Sequence, residues 1–238
     1  SENMITGPIR QDGPIDHIVK KTGTPTMGGV IIIIGIISST FLWADLTNIY
    51  VWTLIFVSLS LGSLGLIDDI LKIKFKNSSG LKSKYKFLGQ LFIGCIAILI
   101  LVKYSDHDYL YNLYFPFFKN LILNMGLLFI PFALFVIIGS SNAVNLTDGL
   151  DGLATVPVML VALSFTLISY VVGNTIFSEY LKIQYIPGVG ELSIFCGSIV
   201  GACLGFLWYN APPAKIFMGD TGSLSLGGSL AAIAIIVK

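Results

Sequence analysis

Seven long apolar runs, separated by short polar stretches, set the pattern of the chain: 27–44, 49–67, 87–102, 121–141, 153–173, 192–209 and 223–237. Runs of roughly 17–25 apolar residues match the hydrocarbon thickness of a bilayer. In lipid the backbone has to satisfy its own N–H and C=O groups, so each run is expected to be a helix. A membrane barrel would show shorter segments of alternating hydrophobicity instead. The expected fold is an all-α polytopic membrane protein with about seven transmembrane helices, built as a single transmembrane helical domain over 1–238. Glycine pairs at 28–29 and 227–228, and the small-residue stretch GSIVGACLG at 197–205, suit close helix packing.

Composition agrees with this reading. Hydrophobic residues make up 55% of the chain and charged residues 11%, against about 25% charged in a typical soluble domain. Cys95, Cys196 and Cys203 all fall inside apolar runs and none has CxxC spacing, so neither a disulfide framework nor a zinc site is suggested. The first 26 residues are polar and rich in glycine and proline, unlike a cleavable leader. The chain begins and ends abruptly and reads as a fragment lacking both ends.

Seven spans place segments 1–26, 68–86, 142–152 and 210–222 on one side, and 45–48, 103–120 and 174–191 on the other. The first set carries Arg10, Lys20, Lys21, Lys72, Lys74, Lys76, Lys82, Lys84, Lys86 and Lys215; the second carries only Lys103, Lys119 and Lys182. The positive-inside rule makes the first set cytoplasmic. The six lysines of 72–86 would also attract anionic lipid heads.

Every chemically suggestive stretch falls in that cytoplasmic set. Asp68-Asp69 follows an apolar run directly, and adjacent carboxylates at a membrane boundary repel unless a cation binds them. Hard oxygen ligands of this kind suit Mg²⁺, though solvated acids beside Lys72 and Lys74 are the plainer alternative. The segment NAVNLTDGLDG (142–152) holds Asp148 and Asp151 at i, i+3; a helix starting near Thr147 would put both on its first turn. Capping alone accounts for one of these acids but not for two Asp, two Asn and two Gly together. The segment NAPPAKIFMGDTG (210–222) holds Asp220 between glycines, with Asn210, Lys215 and Phe217 on a proline-stiffened loop able to meet a planar base. The leading segment places Lys20, Lys21 and a Thr-Gly-Thr-Pro-Thr run beside the first span, as in a phosphate cradle or a simple membrane anchor. His17 reads as a surface histidine before a catalyst, and His107 lies on the opposite side. Acids from three segments with lysines at a membrane surface suggest phosphoryl chemistry. A transporter would carry charges near the middle of its spans, and these spans carry none there.

The stretches GPIRQDGPIDHIVKKTGTPTMGG (7–29), IDD (67–69), NAVNLTDGLDGLA (142–154), GEL (190–192) and GFLWYNAPPAKIFMGDTGSLSLGG (205–228) resemble the polyprenyl-phosphate N-acetylhexosamine-1-phosphate transferase superfamily. Within it they are most similar to the bacterial branch that uses UDP-N-acetylmuramoyl-pentapeptide. The resemblance implies a Mg²⁺-dependent transfer of phospho-N-acetylmuramoyl-pentapeptide from its UDP donor to undecaprenyl phosphate. Lipid I and UMP would form at the cytoplasmic face of the bacterial inner membrane, in peptidoglycan biosynthesis. It implies Asp68 as a base on the lipid phosphate or a covalent group, and Asp69 and Asp220 with Mg²⁺ and the diphosphate, Asp68 counting as a third metal-ligand candidate. It also implies Lys84 as a catalytic-site lysine, Lys21, Gly149, Leu150, Asp151, Asn210 and Phe217 around uridine, and Thr26 and Asn145 in support. Expected partners are the UDP donor, undecaprenyl phosphate, membrane lipids and, as an allowed assembly, a second copy in a homodimer; no nucleic acid is expected. The family has ten spans and a histidine-rich motif near its C-terminal end, neither of which this chain shows. The alternatives are a sibling transferase using another UDP-amino sugar, told apart by the mass of the lipid product, and a non-enzymatic channel, transporter or scaffold.

Single cysteines introduced at positions 76, 147 and 215 are predicted to react with an impermeant thiol reagent from the cytoplasmic side, and one at 108 from the other side. Labelling of 147 and 108 from the same side would overturn the topology.

Overall fold

The computed structural model describes residues 25–75, 80–105, 110–115 and 121–238. The leading segment with His17, Lys20 and Lys21 lies outside the described residues, as do Lys76, His107 and Lys119. Each apolar run yields a helix: α1 (Gly29–Trp43), α2 (Ile49–Phe75), α3 (Ser83–Tyr104), α4 (Phe129–Thr147), α5 (Thr155–Val172), then a short α6 (Thr175–Leu181), and α7 (Leu192–Asn210) and α8 (Gly219–Val237). Six helical stretches among the described residues are long and apolar enough to cross a membrane, and α1 is a shorter apolar helix. The chain is an all-α polytopic membrane protein.

Although short, α1 runs from one end of the bundle to the other. At its start the Gly28 N–H donates to Phe217 O at 2.8 Å, in the loop after α7. Beyond its end the Asp45 N–H donates to Glu191 Oε2 at 2.9 Å, just before α7 begins. α1 therefore traverses the same depth as α7, antiparallel to it. The Thr47 N–H and hydroxyl donate to Asp45 at 2.9 and 2.8 Å and hold its carboxyl below the usual carboxylate range.

Ile31, Ile34, Phe92, Leu99, Phe135 and Leu167 are exposed on the outer helix faces, where a bilayer would cover them. The inside is organised around α8, whose residues are buried almost without interruption from Thr221 to Val237. It packs against α2, α4, α1 and α5. Lipid supplies no hydrophobic drive between helices, so close packing and interhelical hydrogen bonds carry the association. Gly65 of α2 lies against the α8 backbone, where a Cβ would run into the Asp220 carbonyl. The Ser58 and Ser225 hydroxyls meet at 2.9 Å, and the Ser140 hydroxyl donates to Gly227 O at 2.8 Å.

Helix boundaries depart from the apolar runs in three places. First, α2 continues past residue 67 to Phe75, because Lys72 pairs with Asp68 one turn back and the polar end stays helical. Second, the run 121–141 does not start as a helix. Ile122–Asn124 forms a strand, β2, paired antiparallel with β1 (Asn112–Tyr114), and Asn124 Oδ1 accepts the Gly126 N–H at 2.9 Å to turn the chain into a 3₁₀ turn over Gly126–Leu128. Third, no helix begins near Thr147. Residues 142–147 close α4, Asp148 is its C-cap, and 148–154 form turns before α5 starts at Thr155. The expectation of Asp148 and Asp151 on one first helical turn is thereby corrected; the turn-forming Asp-Gly pairs of TDGLDG govern locally. The unanticipated α6 is capped by Asn174, whose side chain accepts from Ile176 N and Phe177 N.

Contacts divide the connections as the span count requires. Residues 25–28, 80–86, 145–152 and 210–220 gather at one end, through Phe217 N to Pro25 O, Leu81 N to Asp68 and Gly152 N to Asn210. At the opposite end the Asn48 amide donates to Gly188 O and the Lys238 amine to Leu110 O.

Gly65→Ala is predicted to force α2 from α8 and lower the unfolding free energy by about 1–3 kcal/mol. Gly197→Ala, where a Cβ meets nothing within 4 Å, is predicted to leave stability unchanged or slightly raised. Thermal unfolding of the two variants in detergent distinguishes these outcomes.

Candidate functional site

The inner stripe of α2 runs through Leu54, Ser58, Leu61 and Gly65 at helical spacing and continues into Asp68 and Asp69. The same period that buries the apolar residues therefore carries two carboxylates inward, to 2% and 4% exposure. Asp68 is held twice: Oδ2 lies 2.5 Å from Lys72 Nζ, and Oδ1 accepts the Leu81 N–H at 2.5 Å.

Asp69 caps α8. Its Oδ1 accepts the Asp220 N–H at 3.2 Å, and its Oδ2 accepts the Thr221 N–H at 3.0 Å and the Thr221 hydroxyl at 2.7 Å. These are donors of a first helical turn, which otherwise lack partners, and the helix dipole favours an anion there. The approach depends on Gly219, which has φ 75; a Cβ there would lie 2.7 Å from Asp69 Oδ2 and 3.1 Å from Thr26 Oγ1. Thr26 is thereby placed at the edge of the carboxylate group.

Asp220, the second residue of α8, faces two lysines. Lys72 Nζ lies 2.9 Å from Oδ1 and Lys86 Nζ 2.5 Å from Oδ2. Asn145, near the end of α4, closes the group. With its amide oxygen toward Lys86 Nζ at 2.8 Å, its NH₂ donates to Asp220 Oδ1 at 3.2 Å and Ser223 Oγ at 3.1 Å.

Asp68, Asp69 and Asp220 each offer an oxygen within 4.8 Å of the others. Among the described residues two ammonium groups face these three carboxylates, one more acid than base in a mostly buried group. An all-carboxylate donor set with residual negative charge fits a hard divalent cation. Lys72, bonded to Asp68 and Asp220 and 3.9 Å from Asp69, already occupies a cation's place among them. Asp148, at the end of α4, is not one of the three.

A second group lies along the loop that leads into Asp220. Asn210 is 2% exposed. Its Oδ1 accepts from Gly152 N at 3.1 Å and Thr155 Oγ1 at 2.9 Å, and its Nδ2 donates to Ile216 O at 3.0 Å. Asp151 Oδ2 accepts the Ala214 N–H at 3.1 Å. These bonds tie the 148–155 turns to the 211–218 loop and commit much of the Asn210 amide inside the protein. Phe217 is half-buried, held through its backbone to Pro25 and Gly28, while Gly149 and Leu150 are exposed at the rim.

The sequence singled out Lys84, which is exposed, whereas the lysines that reach the carboxylates are Lys72 and Lys86. The signal for Lys86 was helical spacing. Gln90, Ile93, Gly94 and Ala97 form the buried face of α3, and Lys86 lies one turn before Gln90 on that face. Lys84 falls on another side of the helix.

The profile of glycosyl transferase family 4 matches residues 51–238. A phospho-N-acetylmuramoyl-pentapeptide-transferase of Pelagibacter ubique is 64% identical over 238 residues, covering 100% of this chain and 66% of that relative. Relatives of the same name from Rickettsia prowazekii and Rickettsia bellii are 55% and 57% identical over 231 residues, covering 97% of this chain and 63% of theirs. The chain spans about two thirds of the length of the curated relatives it matches. The family match includes α2 through α8 and hence all three clustered carboxylates: the chain belongs to glycosyl transferase family 4.

Proposed function

We propose that the protein to which this chain belongs transfers phospho-N-acetylmuramoyl-pentapeptide from its UDP donor to undecaprenyl phosphate, giving lipid I and UMP. The observation that carries the reading is the convergence of Asp68, Asp69 and Asp220 with Lys72 and Lys86 at one end of a membrane bundle, in a chain 64% identical to a relative of that name. A phosphate on a lipid anchor presents itself at the membrane surface, which is where such a group has to lie. The positive-inside bias supports a cytoplasmic location for that end, and the relatives' name supports the bacterial inner membrane as its setting.

In the proposed reaction an oxygen of the lipid phosphate attacks the β-phosphorus of the donor, and the bond to UMP breaks with its electron pair leaving on UMP. Mg²⁺ held by Asp68, Asp69 and Asp220 would supply Lewis-acid charge to the diphosphate. Lys72, which holds a cation's place among the carboxylates, would turn from them to the diphosphate when the ion binds, and Lys86 offsets phosphate charge from beside Asp220. Lys84, exposed at the same rim, serves an approaching phosphate. Asp68 takes the role of base toward the acceptor, its Oδ1 steadied by the Leu81 N–H. Asp69 fixes the start of α8 and with it the direction of Asp220. Asn145 and Thr26 support the carboxylates, and Gly149, Leu150, Asp151, Asn210 and Phe217 form the uridine side; the family resemblance assigns Lys21, which lies outside the described residues, to uridine as well. Asn210 contributes by holding the two loops in place.

In a radiolabel transfer assay with the full-length protein, Asp68→Asn, Asp69→Asn and Asp220→Asn are each predicted to lower turnover by about 100-fold or more, with the membrane fold retained. Removal of Mg²⁺ with EDTA is predicted to abolish UMP release, and readdition to restore it. Near-normal rates in all three variants would remove the carboxylate-centred mechanism, and a lipid product carrying another amino sugar would reassign the donor.

A further inference from the structure

Gln90 lies on α3 one turn from Lys86, 1% exposed, on a helix that packs against α2 and α4. A buried carboxamide in a membrane helix is costly unless its polar atoms are paired, and such residues are retained where they do specific work. Its Oε1 accepts from Asn142 Nδ2 at 2.9 Å, and its Nε2 donates to Ser141 Oγ at 3.3 Å. The Ser141 hydroxyl in turn donates to Leu224 O of α8 at 3.4 Å. Asn142 is anchored a second time on Ile138 O at 2.8 Å. Gln90 thus ties α3 to α4 directly and to α8 through the Ser141 hydroxyl.

One turn closer to the end of the bundle the same three helices supply part of the catalytic group beside the α2 carboxylates: Lys86 from α3, Asn145 from α4, and Asp220 with Ser223 from α8. Asn145 is three residues beyond Asn142, and Leu224 directly follows Ser223. We propose that Gln90 is a positioning residue that sets the rotation of α3 against α4 and α8 so that the Lys86 ammonium reaches Asp220 and Asn145. Apolar contacts such as Ile93, Ala97 and Ile98 hold α3 in the bundle but tolerate small rotations, because they are not directional. Bonds to Ser141 and Asn142 are directional, and they act directly beneath the group that needs angular precision. Asn142 and Ser141 share the task from the α4 side. This inference rests on the proposed transfer reaction for its kinetic readout only.

The test uses the full-length protein with Gln90→Met, which keeps the length of the side chain and removes its hydrogen bonds. Turnover is expected to fall about tenfold while the KM for the nucleotide donor changes less than about twofold, the split that marks loss of an interaction made in the transition state. In a Lys86→Met background the same change is expected to cost less than about twofold more, since residues acting as a unit are not additive. A readout independent of activity pairs Lys86→Cys with Asn145→Cys, with Cys95, Cys196 and Cys203 replaced by alanine; disulfide yield under mild oxidant is expected to fall severalfold when Gln90→Met is added. Should Gln90→Met not fold, Ser141→Ala is carried through the same measurements with the same expectations. Unchanged turnover with unchanged disulfide yield, or losses that multiply in the double variant, would overturn the proposal. A full-length wild-type protein without transfer activity would instead sink the functional reading, and the disulfide yield would still decide this one.

Discussion

A carboxylate taken out of water at the end of a membrane bundle has to be matched by donors or cations, and the site follows from how three such carboxylates are matched. Asp69 is matched by the open N-terminus of α8, Asp68 by Lys72 and the Leu81 N–H, and Asp220 by Lys72 and Lys86. Three of those pairings cross between helices, so neutralising the charges also locks α2, α3 and α8 at the end where the charges lie. Idealised transfer of an ion into a medium of low dielectric costs on the order of 20 kcal/mol, and the pairing relieves that cost only while the geometry holds. Among the described residues the group holds one more carboxylate than ammonium, an excess of negative charge that favours an added cation.

The central position of α8 makes this arrangement transmissible. Its small residues let α2 and α4 approach closely, and hydroxyl bonds at Ser58–Ser225 and Ser140–Gly227 fix their depth. The helix that carries Asp220 is therefore the one with the least freedom to shift. Its start is capped by a side chain from another helix, so the position of Asp220 depends on α2 as much as on its own loop. The 211–218 loop is held from outside by Asp151 and Asn210, which join it to the turns after α4. The carboxylate group and the loops beside it consequently form one continuous hydrogen-bonded end of the bundle.

Sequence determined the class of fold, the number of traverses and the division of connections between two ends, because bilayer thickness imposes span length and lysine placement marks sidedness. It also pointed to Asp68, Asp69 and Asp220, since acids crowded beside apolar runs are costly unless a cation or donor matches them. Tertiary structure alone decided which lysines complete the group: Lys72 and Lys86 are two among six lysines of similar spacing, and only the face that α3 turns toward α8 separates Lys86 from Lys84. It decided that Asp148 caps a helix end instead of opening one, because local turn chemistry at TDGLDG outweighed the i, i+3 pattern. It decided as well that Asn210 spends its amide on Gly152, Thr155 and Ile216. Periodicity and charge are one-dimensional signals fixed by the solvent; the partner of a buried polar atom is set by helices that meet far apart along the chain, and no local pattern encodes that meeting.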